Sequence, residues 1–502
     1  MPDRIPVLIV GAGPVGLSLA LGLARCGVRS VVIEKNPSTS VRSRAPGILC
    51  RTLEIFEGWG VVDDLIAEGT FLPRVEIWSA GDDKPQVEIS FESLREITPK
   101  AGVLILPQSK TEAILARRLQ DEPLTDVRFC WELLDWTETD EGVVARVRTP
   151  DGESSIEASY LVGCDGAHSE VRRGLGLHLE GKTYDAHVAL ADVQIDDRQY
   201  PWPRVGLADG PLVALYLRDG LWRIIAIGSQ AAKDREIADA ELDVWVRCVF
   251  GEAPYKKIWT STFAIHCRVC PSFHRKRILL AGDAAHLNSP AGGQGMNSGI
   301  QDAHNLAWKL SRALGGGDAQ KLLRSYDVER QQAVRRYVNR TTDFLTRAVI
   351  QGGGWGRSLF AAAAQTGLKI APIRRKAMRR IMMFDIRYRE SPLFPVAHRL
   401  VGQLSPNCSV KGVHGATRLH DLVQDGPCLL WLGYGALPAG LEEMTVRQEL
   451  LSASAAPVLF DELAIDEPMA VLVRPDGYIG LALQNPTIST IAGYVAAAIG
   501  DS

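Results

Sequence analysis

Three separated clusters in this chain carry the residue types needed to hold one extended, phosphorylated ligand. Gly11-x-Gly13-x-x-Gly16 follows the apolar run Val7–Val10, and Glu34 stands about 20 residues on. In such a loop Gly11 permits a tight turn, Gly13 lets a pyrophosphate approach the backbone, and Gly16 lets the next helix pack on the sheet. Pro14 and Val15 sit where that helix opens, and its N-terminal amides and dipole favour phosphate. Glu34, followed by Lys35, closes the next strand. A carboxylate there accepts hydrogen bonds from a ribose and repels the 2′-phosphate of NADP, so the occupant expected is FAD or NAD. The second cluster is Cys164-Asp165-Gly166-Ala167-His168-Ser169-Glu170-Val171-Arg172. The third is Ala281-Gly282-Asp283-Ala284-Ala285-His286, continued by Pro290-Ala291-Gly292-Gly293-Gln294-Gly295-Met296-Asn297. An acidic residue at a strand end suits a polyol hydroxyl, and a glycine-rich loop opening a helix suits a group that becomes negative. A structural turn explains any one of these clusters, but not all of them in this order.

The elements that must position them are legible as patterns. Val7–Val10 and Val31–Ile33 are short continuous apolar runs, as buried parallel strands require. With the helix from Leu17 to about Gly27 between them they make a βαβ unit. Residues 126–163 read as short strands, and 185–268 read as β again around turn glycines. Ile278–Ala281 is a further buried strand. Ile300, Ala303, Ala307, Leu310 and Leu314 then recur at helical steps, giving an amphipathic helix that ends at Gly315–Gly317. The segment 355–385 reads as helical and basic, with Arg374, Arg375, Lys376, Arg379 and Arg380 on a solvated face or a subunit contact. Beyond Pro392–Pro406 the chain changes character, and 407–500 reads as a small separate α/β unit.

Counting narrows the class. A chain of 502 residues has room for two to four domains. Its 56 basic and 59 acidic residues leave a net charge of −3, which argues against a nucleic-acid or acidic-membrane partner. Nine cysteines are too few, and an odd number, for a disulfide scaffold. Cys267 and Cys270 have Cys-x-x-Cys spacing but strand-like neighbours, so no redox role is expected of them. The uncharged stretch Ile5–Ala24 is long enough to span a membrane, yet its glycines belong to the first motif. A cytoplasmic protein without a metal site is expected.

Taken together, the motifs resemble the class A flavoprotein monooxygenases, the para-hydroxybenzoate hydroxylase-like aromatic hydroxylases. The resemblance covers nearly the whole chain. Gly282–His286 through Asn305-Leu306-Ala307-Trp308-Lys309-Leu310 looks most similar to the 3-(3-hydroxyphenyl)propionate hydroxylases and to hydroxylases that tailor aromatic polyketides. It implies an α/β protein with a Rossmann-like FAD-binding domain of the glutathione-reductase type, an inserted β-sheet substrate domain and a C-terminal thioredoxin-like domain. The corresponding segments are 1–180 and 276–395 for FAD, 181–275 for substrate and 396–502 for the C-terminal domain. A structural or dimerising role is the default for the last, which leaves room for a homodimer.

The resemblance also distributes the site. Gly11, Gly13, Pro14, Val15, Gly16, Glu34 and Lys35 would hold the ADP half of non-covalent FAD, and Arg44 would meet its pyrophosphate, with Arg42 a weaker candidate. Gln108, in Leu106-Pro107-Gln108-Ser109, matches a glutamine on the flavin side. Asp283 matches the aspartate on the ribitol, while Pro290, Gly293, Gly295, Met296 and Asn297 follow the isoalloxazine edge. Asp165 and Arg172 match a motif associated with FAD and NAD(P)H, or else brace the fold through an ion pair. In relatives NADPH or NADH reduces FAD, oxygen adds at flavin C4a, and the hydroperoxide hydroxylates a phenolic or polycyclic aromatic substrate. Baeyer–Villiger oxygenation or epoxidation on the same scaffold is the alternative. A base that deprotonates the phenol would help; His187, Tyr216, Arg223 and His266 are the weak catalytic candidates, and His286 reads as structural. The chain departs from the family pattern at Ser289, where a proline is usual, and at Lys276, where a glycine is usual.

Overall fold

Strand β1 (Ile5–Val10) is apolar throughout because both its edges and both its faces are covered. In the computed structural model, which describes residues 4–40, 46–82, 84–196, 202–208, 210–229, 237–290, 292–343, 370–412, 415–437 and 446–499, it lies inside an eight-stranded sheet. Helix α1 (Pro14–Arg25) begins with proline at its first position, where no N–H is needed. Gly27, at φ +72°, turns the chain into β2 (Ser30–Glu34), which pairs parallel with β1. Next come the short strand β3 (Gly47–Ile48), helix α2 (Cys50–Gly58), helix α3 (Gln108–Gln120) and strand β4 (Thr125–Phe129). Strand β5 (Gly152–Gly163) pairs parallel with β1 on its other side.

The second eight-stranded sheet is built from β6 (Glu180–Gln194), β7 (Pro211–Arg218), β8 (Leu221–Ser229) and β9 (Lys256–Val269), with the strand at Arg204–Leu207. Helix α4 (Asp239–Phe250) covers one face through Leu242, Trp245, Val246 and Val249. The sheet reaches beyond the expected segment 181–275. Strands Arg74–Ser79 and Val87–Ser90 extend one edge, and His286–Leu287 completes the other. Edge strands left unpaired must find hydrogen-bond partners, and distance along the chain does not restrict which ones.

Strand β10 (Ile278–Leu280) returns the chain to the first sheet beside β5, giving the order β10-β5-β1-β2-β4. Helix α5 (Gln294–Leu314) then packs against α1, and α6 (Ala319–Gln332) follows. The apolar face of α5 is the one the periodicity requires. Its other face is not solvated: Ser298, Asp302, Asn305 and Lys309, spaced four, three and four apart, are also buried. Helix α7 (Ala371–Ile381) carries the basic residues, and the part of the basic segment at 355–369 lies outside the described residues. Arg375 and Arg379 of α7 both pair with Glu462 of the C-terminal unit, while Lys376 is exposed and Arg375 remains partly so.

The C-terminal unit has four strands in the order Arg447–Leu451, Cys428–Leu432, Met469–Val473, Ile479–Leu483. The first pair is parallel and the others antiparallel, with helices Pro457–Leu463 and Ile488–Ile499. Leu430, Val471 and Val473 centre its own core. All nine cysteines are free thiols. Among the described residues no helix is long and apolar enough to cross a membrane, and no His, Cys, Asp or Glu group is placed to hold a metal ion.

Candidate active site

The three clusters converge because their small residues pack on one another. A Cβ on Gly11, whose φ is +106°, would lie 2.5 Å from the carbonyl oxygen of Cys164, so the first motif rests directly on the second. A Cβ on Gly16 would lie 2.0 Å from the carbonyl oxygen of Gly11. The side chain of Val15 fills the space that side chains on Gly282 and Gly299 would need, at 2.7 and 2.6 Å, which locks the first motif onto the third. Arg172 ties the second motif to the third by donating to the carbonyls of Ala167 and Ala284 at 2.8 and 2.9 Å. It braces through carbonyls, not through an ion pair.

Gly13 differs from its neighbours. It has an ordinary extended backbone, and a Cβ placed on it would meet nothing within 4 Å. Nothing inside the protein therefore demands glycine there, whereas a ligand approaching the helix N-terminus would. Gly293 and Gly295 share that open surround. Around this opening the polar groups face outward. Asp283 and Pro290 are exposed, although Gly282, Ala284 and Ala285 beside Asp283 are buried. Asp165 accepts the Glu170 and Val171 N–H groups with one oxygen, while its other oxygen is buried without a partner. Burial raises its carboxyl above the usual range, partly offset by the Ser169 hydroxyl and by those backbone N–H groups. An unpaired buried oxygen, an open glycine cradle and a helix N-terminus form a donor and acceptor set suited to FAD.

Glu34 has a second task. One oxygen accepts the Ala12 N–H at 3.0 Å and the other the Asn36 N–H at 2.9 Å, pinning the glycine loop to the end of β2. Lys35 is exposed beside it. Gln108 opens α3 and donates to Glu112 at 2.8 Å. Glu112, which the sequence patterns did not single out, also accepts the Ser40 N–H at 2.9 Å. Burial pushes its carboxyl up to about 7, against the pull of those two donors, with Glu34 adding to the rise. Glu112 thus joins the glutamine to the segment leading to Arg42 and Arg44, which themselves lie outside the described residues, as does Ala291.

In the third motif Met296 and Asn297 are buried. The Asn297 amide accepts the Leu49 N–H at 2.9 Å and donates to the carbonyls of Gly47 and Gly293 at 2.9 and 2.7 Å. Its side chain is committed to bolting β3 to the glycine loop, so it positions the loop. His286 lies 2.7 Å from Asp302 and is fully buried, the structural role expected of it.

Strand alternation separates the four catalytic candidates. Arg223 is paired with both oxygens of Asp192 at 2.7 Å and lies over the Trp259 ring, on the sheet face away from α4. Leu190, Ile225, Ile227 and Phe263 cluster with Trp259 on that face. Tyr216 stands on the opposite face, edge-on to Trp222 in the core under α4. It cannot act beside Arg223, because neighbouring strand positions point to opposite sides. His266 alternates with Ile265 and faces Thr183 at 3.0 Å, while His187 is half-buried at a bulge in β6.

A βαβ unit with an outward acidic turn and a glycine-opened helix defines a dinucleotide-binding flavoprotein fold. The FAD binding domain family matches residues 4–341, and the aromatic-ring hydroxylase C-terminal family matches 398–500. The chain belongs to the FAD-dependent aromatic-ring monooxygenases. It is 32% identical to 6-methylpretetramide 4-monooxygenase of Streptomyces rimosus over 78% of this chain and 71% of that one. It is 30% identical to 12-dehydrotetracycline 5-monooxygenase/anhydrotetracycline 6-monooxygenase of the same organism, over 95% of each chain. The solved anhydrotetracycline hydroxylase OxyS, also from Streptomyces rimosus, superposes with a TM-score of 0.80 at 27% identity, covering 99% of this chain and 100% of that one.

Proposed function

We propose that the chain hydroxylates a polycyclic phenolic substrate at the expense of NADPH or NADH. The observation that carries this reading is the packing of the three clusters on one another, Gly11 against Cys164 and Val15 against Gly282 and Gly299, with open space beside Gly13 and Gly295. In this reading Gly11–Gly16, Glu34, Lys35 and Arg44 hold the ADP half of FAD. Gln108 and Asp283 take the flavin-side chain, and Pro290, Gly293, Gly295, Met296 and Asn297 form or shape the loop along the ring. Bound flavin supplies hydride acceptance and oxygen activation. The helix dipole at Gly295 stabilises negative charge on the ring, and the half-buried aromatic face around Trp259 and Phe263 takes the substrate and excludes water. Names of relatives matched over nearly their full length favour fused-ring substrates over single phenols.

Arg223 is the polar feature of that face, and its pairing with Asp192 makes it an orienting group rather than a base. We place the enzyme in the cytoplasm, with the C-terminal unit as the candidate dimer contact. The test is the visible spectrum of purified protein, followed by NAD(P)H oxidation with tetracycline-type and angucycline-type phenols and with simple phenolic acids. Flavin bands and oxidation stimulated by the fused-ring compounds, with a product heavier by one oxygen, are expected. A ring-expanded lactone would replace hydroxylation by Baeyer–Villiger oxygenation, and colourless protein that fails to take up FAD would overturn the reading.

A further inference from the structure

The buried polar stripe of α5 is bonded at its two ends to different parts of the molecule. At one end Asp302 accepts the Gly282 N–H at 3.0 Å and lies 2.7 Å from His286, so it grips the turn that presents Asp283. Its other oxygen accepts Arg330 Nε at 2.7 Å, and Arg330 also donates to the carbonyl of Ser298 at 3.1 Å. One guanidinium–carboxylate pair thereby fixes both the acidic turn and the first turns of the helix behind Gly295.

At the other end Arg474 of the C-terminal unit donates to both oxygens of Glu329 at 2.8 and 2.9 Å and pairs with Asp476. Asn305 Nδ2 lies 3.0 Å from Glu329 and 2.9 Å from Asp476. Besides the α6 backbone between Glu329 and Arg330, one side-chain atom bridges the two ends: Tyr388 Oη is 3.2 Å from Arg330 and 3.5 Å from Asn305. The Tyr388 ring is stacked on Tyr478, two residues beyond Asp476, with centroids 4.2 Å apart. A second limb leaves the same turn. The carbonyl of Asp476 accepts Arg51 Nη2 at 2.7 Å, and Arg51 opens α2 two residues after Leu49, whose N–H is held by Asn297.

Burying so many charges at a domain contact is costly unless each is held in one geometry, and apolar side chains would join two domains more cheaply. The C-terminal unit already has a core of its own around Leu430 and Val471. What the charges add is register: Arg474 and Asp476 are satisfied only when α5 and α6 sit at one height against the turn.

We propose that the Arg474–Asp476 turn of the C-terminal domain is a positioning element of the flavin site, acting through Tyr388 and Arg330 on Asp302 and the Gly282–Asp283 turn. The proposal rests on the assignment of that turn to FAD. Tyr388→Phe is the sharpest probe, since it deletes the joining oxygen and keeps the stacked ring. The full-length protein, stripped of flavin and titrated with FAD, is expected to show a dissociation constant raised by about threefold to tenfold in Tyr388→Phe and Asp476→Asn. The midpoint potential of the bound flavin shifts with it. Asp302→Asn has the larger effect, and combined with Asp476→Asn it costs less than the product of the two, because both act through one chain of contacts. If Tyr388→Phe and Asp476→Asn lower the melting temperature yet leave FAD affinity and potential unchanged, the C-terminal domain only packs and the proposal falls. Independent multiplication of the two single effects would also end it. Should Asp476→Asn fail to fold, Tyr388→Phe alone decides. Asp283→Ala separates the two ideas: full FAD affinity in that variant removes the assignment of the turn, not the coupling to it.

Discussion

The motif opening and the layer beneath it are both rich in polar groups, yet they are built in opposite ways. Around Gly13 the protein leaves room: the glycine has open space beyond it, and one oxygen of Asp165 is buried without a partner. Around Arg474 the charges are paired with one another, although Asn305 Oδ1, Trp308 Nε1, Tyr478 Oη and Tyr494 Oη are buried there without partners. Glu329 alone receives Arg474, Lys309, Asn305 and Ser391. Burial by itself would raise its carboxyl, but Arg474 and Lys309 bring it well below the usual range, while burial holds the Lys309 ammonium down at about 8. The motif region keeps open space beside its glycines, whereas the hub pairs Arg474, Lys309, Glu329 and Asp476 with one another. Substitutions should therefore divide between loss of ligand and loss of stability.

Gly13→Val breaks the comparison most directly. It should abolish flavin retention, because the side chain occupies the cradle, and leave the melting temperature of the flavin-free protein nearly unchanged, because its Cβ has no protein atom within 4 Å. A visible spectrum and a thermal scan check both halves. Arg474→Met has the converse signature: leaving Asp476 buried without its cation, and Glu329 with Lys309 alone, should cost about 3–5 kcal/mol in denaturant unfolding. A cost below about 1 kcal/mol, the range of exposed pairs, would mean the hub is not a hub.

Glu112 lies between the two regimes and predicts a pH dependence. Its folded pKa of about 7 stands above the ordinary 4.5, so the folded state holds the proton more tightly than the unfolded one. Stability from this group is complete below the ordinary value and is lost as pH rises from about 4.5 to 7, by up to about 3 kcal/mol. Thermal scans of flavin-free protein from pH 5 to pH 8 should show that decline in the wild type and a shallower one in Glu112→Gln. Equal slopes would remove the buried-carboxyl explanation. The smallest effect belongs to Lys276, held at φ +49° in the left-handed region that favours glycine. Lys276→Gly should stabilise by about 0.5–1 kcal/mol, the left-handed strain less the entropy of glycine, and leave flavin binding untouched. Urea midpoints resolve it.

Much of the opening was legible in the chain. Glycine spacing after an apolar run, and an acidic residue at a strand end, are local requirements stated within a few residues, and they mark Gly11–Gly16, Asp165 and Asp283. The basic helix is legible as a helix with a partly solvated face, but a charge run shows its sign and not its partner, and Arg375 and Arg379 find Glu462 more than 80 residues on. Tyr216 and Arg223 entered as equals, although the strand register that separates them is set by pairing between β7 and β8. Glu112 went unremarked because a lone glutamate on a helix looks like surface.

The chain by itself determined the βαβ unit, the three clusters and the helix that backs them, since each follows from periodicity and from where glycine is tolerated. Only the tertiary structure decided that the polar stripe of α5 would be buried. Ser298, Asp302, Asn305 and Lys309 read as the wet side of an amphipathic helix until Arg330 and Arg474 are placed beside them. The pair Arg474–Glu329 spans 145 residues. A charge that distant leaves no local pattern, because the desolvation it offsets exists only once two domains have closed around it.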